Sequence, residues 1–110
     1  MTPQDVRRIA LGMPESEENG HMGYPDYRSG GKVFAELLPD GLRVRLHHEQ
    51  QANLVRDNPN SFAPAPGSWG LQGWTRVSPA ADETSLRSAL TMAWRNVAPK
   101  GAIARMRLAA

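Results

Sequence analysis

No cysteine occurs in the 110-residue chain, which removes disulfides, thiolate nucleophiles and thiolate metal sites together and suits a reducing compartment. No apolar run approaches the roughly 20 residues of a membrane span. The opening segment MTPQDVRRIALGM has neither the apolar stretch nor the cleavage site of a secretory signal. A soluble, cytoplasmic protein without membrane contact is expected. Aromatic side chains are scarce, with two Phe, two Tyr and three Trp, and without disulfides stability must come from packing. The length and the 40% hydrophobic content suit one domain and exclude a second independent core.

Lysine is nearly absent as well, at two residues against eleven arginines. That ratio fits bidentate phosphate contacts and GC-rich coding equally, and decides nothing. The net charge is +2, but it is unevenly spread. Residues 1–50 hold six basic and eight acidic groups, and residues 51–110 hold seven and three. From Arg95 onward Arg95, Lys100, Arg105 and Arg107 meet no acidic residue, a short tail read as solvated.

Thr2, Pro3 and Asp5 form an N-cap, first-turn proline and capping-box acid, predicting a helix over 3–12. ESEENG reads as a turn or a polar edge strand, and Pro25 in HMGYPDYR confines that segment to an edge or a strand start. Two hairpin turns follow. SGGK sets Ser29 opposite Lys32, Arg28 opposite Val33 and Tyr27 opposite Phe34. PDGL, with Asp40 and Gly41 as the loop, sets Leu37 opposite Val44, Glu36 opposite Arg45 and Ala35 opposite Leu46. One face then carries Val33, Ala35, Leu37, Val44 and Leu46, and the other Tyr27, Lys32, Phe34, Glu36, Leu38, Arg43 and Arg45. Arg28 falls on the apolar face, a defect in this register.

HEQQANLVRDNP predicts a short helix stopped before Pro59, and NSFAPAPGSWGLQG a loop or an irregular strand pair. In GWTRVSP, Thr75 and Val77 share one face of a strand, and Trp74 and Arg76 the other. Over 82–98, Leu86, Ala89, Leu90, Ala93, Trp94 and Val97 make one continuous helical stripe. KGAIARMRLAA reads as a frayed tail or a loosely docked extension. The fold class is α+β: a two-layer sandwich with an antiparallel sheet, helices on one face and the other face open.

Few constellations carry chemistry. His47, His48 and Glu49 are adjacent, with His21 a further candidate, but strand neighbours point to opposite faces and no H-E-x-x-H helix supports a metal. SGGK lacks the spacing of a phosphate-binding loop, and Ser29, Ser68 and His21 sit in no nucleophile elbow. Glu15, Glu17 and Glu18 read as a solvated turn. No enzyme, metal or cofactor is expected. Lys32, Arg43, Arg45 and Arg76 share a face with Tyr27, Phe34 and Trp74, which places cations among rings on which bases stack. A protein partner, including a homodimer joined through the aromatic face, fits the same surface, and a small-ligand reading comes third, to be raised by a deep pocket beside Trp69 or His21.

The segments LGMPESEE, HMGYPDYRSGGKVFAEL, DNPNSFAPAPGSWGLQGWTRV and LRSALTMAWRNVAPK resemble the MmcQ/YjbR family of small bacterial proteins, in its order and spacing. Met22 departs from the aromatic residue common in that family. The resemblance implies one domain over 1–100, with 101–110 a basic tail, and the order α-β-β-β-α-β-β-α of secretion-chaperone-like proteins. The family is commonly labelled DNA-binding because its sheet and loops resemble a double-wing motif, an analogy of shape. The expected function is weak, sequence-independent binding of double-stranded DNA through Lys32, Arg43, Arg45, Trp74 and Arg76. Within PGSWGLQGW, Trp69 is expected to anchor the loop and Trp74 to meet the partner.

Overall fold

The computed structural model describes residues 1–21 and 23–109, without the side chains of His21 and Ala109. Met22 and the His21 ring therefore lie outside the described residues. Helix α1 (Pro3–Leu11) begins at the Thr2/Asp5 capping box and buries Val6, Ile9 and Ala10. Strands β1 (Ser16–His21), β2 (Tyr24–Ser29), β3 (Lys32–Leu38) and β4 (Gly41–Arg45) follow as an antiparallel meander. Helix α2 (His48–Asp57) leads to β5 (Phe62–Pro64), the single turn α3 (Ser68–Leu71) and β6 (Trp74–Val77). Asp82 caps α4 (Glu83–Val97) by accepting from the Ser85 N–H at 2.7 Å, and α5 (Lys100–Ala109) follows it.

The sheet order is β1-β2-β3-β4-β6-β5. Helix α4 lies across β2, β3 and β4, with α1 beside it, so one face is covered. The expected two-layer α+β sandwich is present, with more elements than the order α-β-β-β-α-β-β-α. ESEENG is a true edge strand, and α3 interrupts the β5–β6 connection. The tail is not frayed. Ala102 is fully buried and Ile103 and Met106 pack on the core, so this helical spacing gives α5 a narrow apolar stripe to dock.

Both hairpins depart from the expected register. Ser29 pairs with Lys32 and Arg28 with Val33 as expected, but Tyr27 then pairs with Ala35. Phe34 is the extra residue of a β-bulge, which reverses the alternation along β3. Phe34 and Tyr27 therefore point into the helix-covered core, both almost wholly buried, not onto the open face. Arg28 and Val33 turn outward, which removes the predicted burial of an arginine. The Tyr27 hydroxyl donates to Glu18 at 2.9 Å, and burial followed by that hydrogen bond pushes its pKa well above the ordinary value. In the second hairpin the loop is Pro39–Asp40, with Leu38 opposite Gly41 and Glu36 opposite Arg43. Proline is preset for the first loop position of such a turn, and the resulting two-residue slip leaves the faces unchanged.

The bulge has an energetic signature. Phe34→Ala should lower the unfolding free energy by about 3–5 kcal/mol in urea titration, as for a core aromatic. A cost below about 1 kcal/mol would mean that the ring is on the open face after all.

Candidate binding face

The open face of the sheet carries Asp26, Arg28, Val33, Glu36, Arg43, Arg45, Trp74 and Arg76, as the register dictates. At its centre the Arg43 guanidinium lies 5.0 Å from the Trp69 ring centroid and 5.4 Å from that of Trp74. The two indoles meet edge-on, 6.2 Å apart at 77°. The Arg43 Nε is buried without a hydrogen-bond partner. The indole rings attract the cation through their quadrupoles.

The PGSWGLQGW loop is shaped by two close backbone approaches. A Cβ on Gly70 would lie 2.1 Å from the Ala65 carbonyl oxygen, and one on Gly73 would lie 2.0 Å from that of Leu46. Gly73 also has φ +99°, in the region that favours glycine. The Gln51 amide donates to the carbonyls of Gly70 and Trp74 at 3.1 and 3.0 Å, tying α2 to the loop. The consequence reverses the expected division of labour between the indoles. Trp74 is the anchor, 5% exposed, whereas Trp69 is 48% exposed. Trp74 begins the strand and is roofed by Trp69 and Arg43, so the loop covers the ring that alternation places outward.

Of the cations expected to form one basic surface, most are already paired. Arg43 donates to Glu36, and Arg76 donates to Asp40 at 2.8 Å. Arg28 forks onto Asp26 at 3.0 and 3.2 Å, and these bonds hold its pKa above the ordinary value. Arg43 also stands directly opposite Arg76 on the neighbouring strand. Like charges in that position repel, and Glu36 and Asp40 relieve the repulsion. Lys32 and Arg45 form no ion pair among the described residues. The predicted set is therefore divided: Arg43, Arg76 and Trp74 form a neutralised central cluster, while Lys32 and Arg45 line a recess at one end of the sheet.

Exposed apolar groups border the cluster. Tyr24 is 46% exposed, Leu71 stands out from α3, and Val33 and Leu38 line a hollow with Tyr24, Pro25 and the Asp26–Arg28 pair. Tyr24, at the start of β2, and Leu71, in the single turn α3, are contact candidates that strand alternation alone does not single out. Among the described residues no three or more His, Asp or Glu side chains gather as a metal ion would require, and no helix is long and apolar enough to cross a membrane. The described part of the His47–His48–Glu49 run thus supplies two rings and a carboxylate without convergence.

Comparison with known proteins adds one result. A family model described as YjbR matches residues 11–96. No curated protein and no solved structure matches the chain.

The close approach at Gly73 is testable. Gly73→Ala should destabilise the fold by about 2 kcal/mol or more, through the carbonyl clash and the positive φ together. It should also shift the Trp fluorescence to the red as Trp74 loses its cover, and an unchanged spectrum and melting temperature would contradict the packing described.

Proposed function

The chain belongs to the YjbR family, that of the MmcQ/YjbR proteins, and we propose that this member works by binding and not by catalysis, with its open sheet face as a self-association surface centred on Trp69. The observation that carries this reading is the half-exposed Trp69 seated on an arginine whose charge is already matched by Glu36. Tryptophan, tyrosine and arginine dominate the energetics of protein interfaces. A twofold dimer sets each surface against itself. Three arginines on this face, Arg28, Arg43 and Arg76, are each paired to a carboxylate, so a second copy would approach without single-sign repulsion. Light scattering over a dilution series should show a dimer that dissociates, and Trp69→Glu, with its fold checked by circular dichroism, should leave only monomer. A wild-type chain that is monomeric throughout rejects this reading.

A second reading is weak binding of duplex DNA. Lys32 and Arg45, without carboxylate partners among the described residues and with an exposed indole on the same protein face as Arg45, favour it. Only these two of the expected cations are left to neutralise phosphates. Titration of labelled duplex at rising salt should show binding that Lys32→Ala/Arg45→Ala weakens and Arg76→Ala does not. The double substitution should reduce the slope of log K against log salt by about 2, and binding indifferent to it rejects the DNA reading.

A further inference from the structure

The recess at the end of the sheet is assembled from four separate segments. Lys32 opens β3, Arg45 closes β4, Leu46 and His47 lead into α2, Gln72 links α3 to β6, and Asn96 and Val97 end α4. Its volume is about 430 Å³, within the roughly 300–1,000 Å³ usual for small-ligand sites. No carboxylate lines it.

The walls are held by the protein's own hydrogen bonds. Asn96 donates to the Arg45 carbonyl at 3.4 Å and to Gln50 at 2.8 Å, and accepts from Gln50 at 3.3 Å. Gln50 also accepts from the His47 N–H at 2.8 Å. Asn96 is therefore spent on fixing the β4–α2 corner against α4. Lys32, Arg45 and the Gln72 amide are in no side-chain hydrogen bond among the described residues, unlike Arg28, Arg43 and Arg76 on the open face.

We propose that this recess binds the phosphate group of a small phosphorylated molecule, with Lys32 and Arg45 supplying the charge and Gln72 a further donor. An unpaired ammonium and guanidinium lining one cavity favour an anion, and the guanidinium fork fits phosphate oxygens. A terminal phosphate is preferred over the run of phosphodiesters in a duplex, because the next cations along the sheet, Arg43 and Arg76, are tied to Glu36 and Asp40. The remaining volume accepts an organic group of sugar size. This site is separate from the self-association reading and uses the residues on which the DNA reading depends, so the test distinguishes the two ligands.

Calorimetric titration of the full chain with inorganic phosphate and ribose 5-phosphate, with acetate as control anion at constant ionic strength, tests it. Saturable binding of ribose 5-phosphate is expected, weakened at least tenfold in Lys32→Ala/Arg45→Ala and unchanged in Arg76→Ala. Both side chains lie at exposed positions, so equal melting temperatures should establish that the variants fold; the single variants replace the double should it melt early. Three results overturn the proposal: no saturable binding of either phosphate, equal binding of acetate, or binding indifferent to both cations. Duplex DNA bound through Lys32 and Arg45 with no ribose 5-phosphate binding would reject the recess and leave the DNA reading standing. Neither ligand bound would reject both.

Discussion

Phe34 is the extra residue that β3 places between its pairings with Arg28 and Tyr27, and much of the molecule's surface chemistry follows from it. Without the bulge, strict alternation would send Phe34 to the open face and Arg28 beneath the helices. With it, two rings join Trp94, Leu86 and Leu90 under α4, where burying each large apolar side chain contributes about 1.5–3 kcal/mol. The same displacement frees Arg28 to fork onto Asp26 two residues away on its own strand. A scarce aromatic supply is thus spent on the core, and the open face keeps only the indoles of the PGSWGLQGW loop and Tyr24.

The central cluster depends on the same economy of charge. Arg43 is 17% exposed, a degree of burial that an arginine tolerates only with partners. Glu36 supplies one, and the faces of Trp69 and Trp74 supply the others. Removing any member would expose a desolvated cation beside Arg76. The loop glycines act one level below, since the backbone contacts at Gly70 and Gly73 bring Trp69 over Arg43. Backbone geometry, indole placement and charge compensation form one chain of dependence.

Most of the fold was legible in the sequence because its signals are local. The Thr2–Asp5 box, the stripe from Leu86 to Val97 and the glycine pair of the first hairpin each fix an element within a few residues. The family resemblance rested on segments that, apart from the last four residues of LRSALTMAWRNVAPK, lie inside the matched range 11–96. Legibility ended where a feature depends on distant partners. The bulge is selected by the core under α4, the exposure of Trp69 by the roof it makes over Trp74, and the docking of α5 by a stripe too narrow to stand out. The candidate site suffered most, because its five expected residues were grouped by alternation alone, and alternation is blind to which cation already has a carboxylate.

Register is what settles that last point. In the expected pairing Glu36 faces Arg45, which would have neutralised Arg45 and left Arg43 free. The turn at Pro39–Asp40 slips β4 by two residues, so that Glu36 meets Arg43 and Arg45 meets Trp74. Lys32 likewise faces Ser29. Both cations are unpaired because their cross-strand neighbours carry no charge, and both lie at the ends of their strands where the sheet gives way to the recess. An even slip conserves every face, and so costs the hydrophobic pattern nothing, yet it moves the available positive charge from the centre of the sheet to its end. The location of a charged site on such a sheet is therefore fixed by turn chemistry at the opposite end of the hairpin, and counts of arginine along the strands carry no information about it.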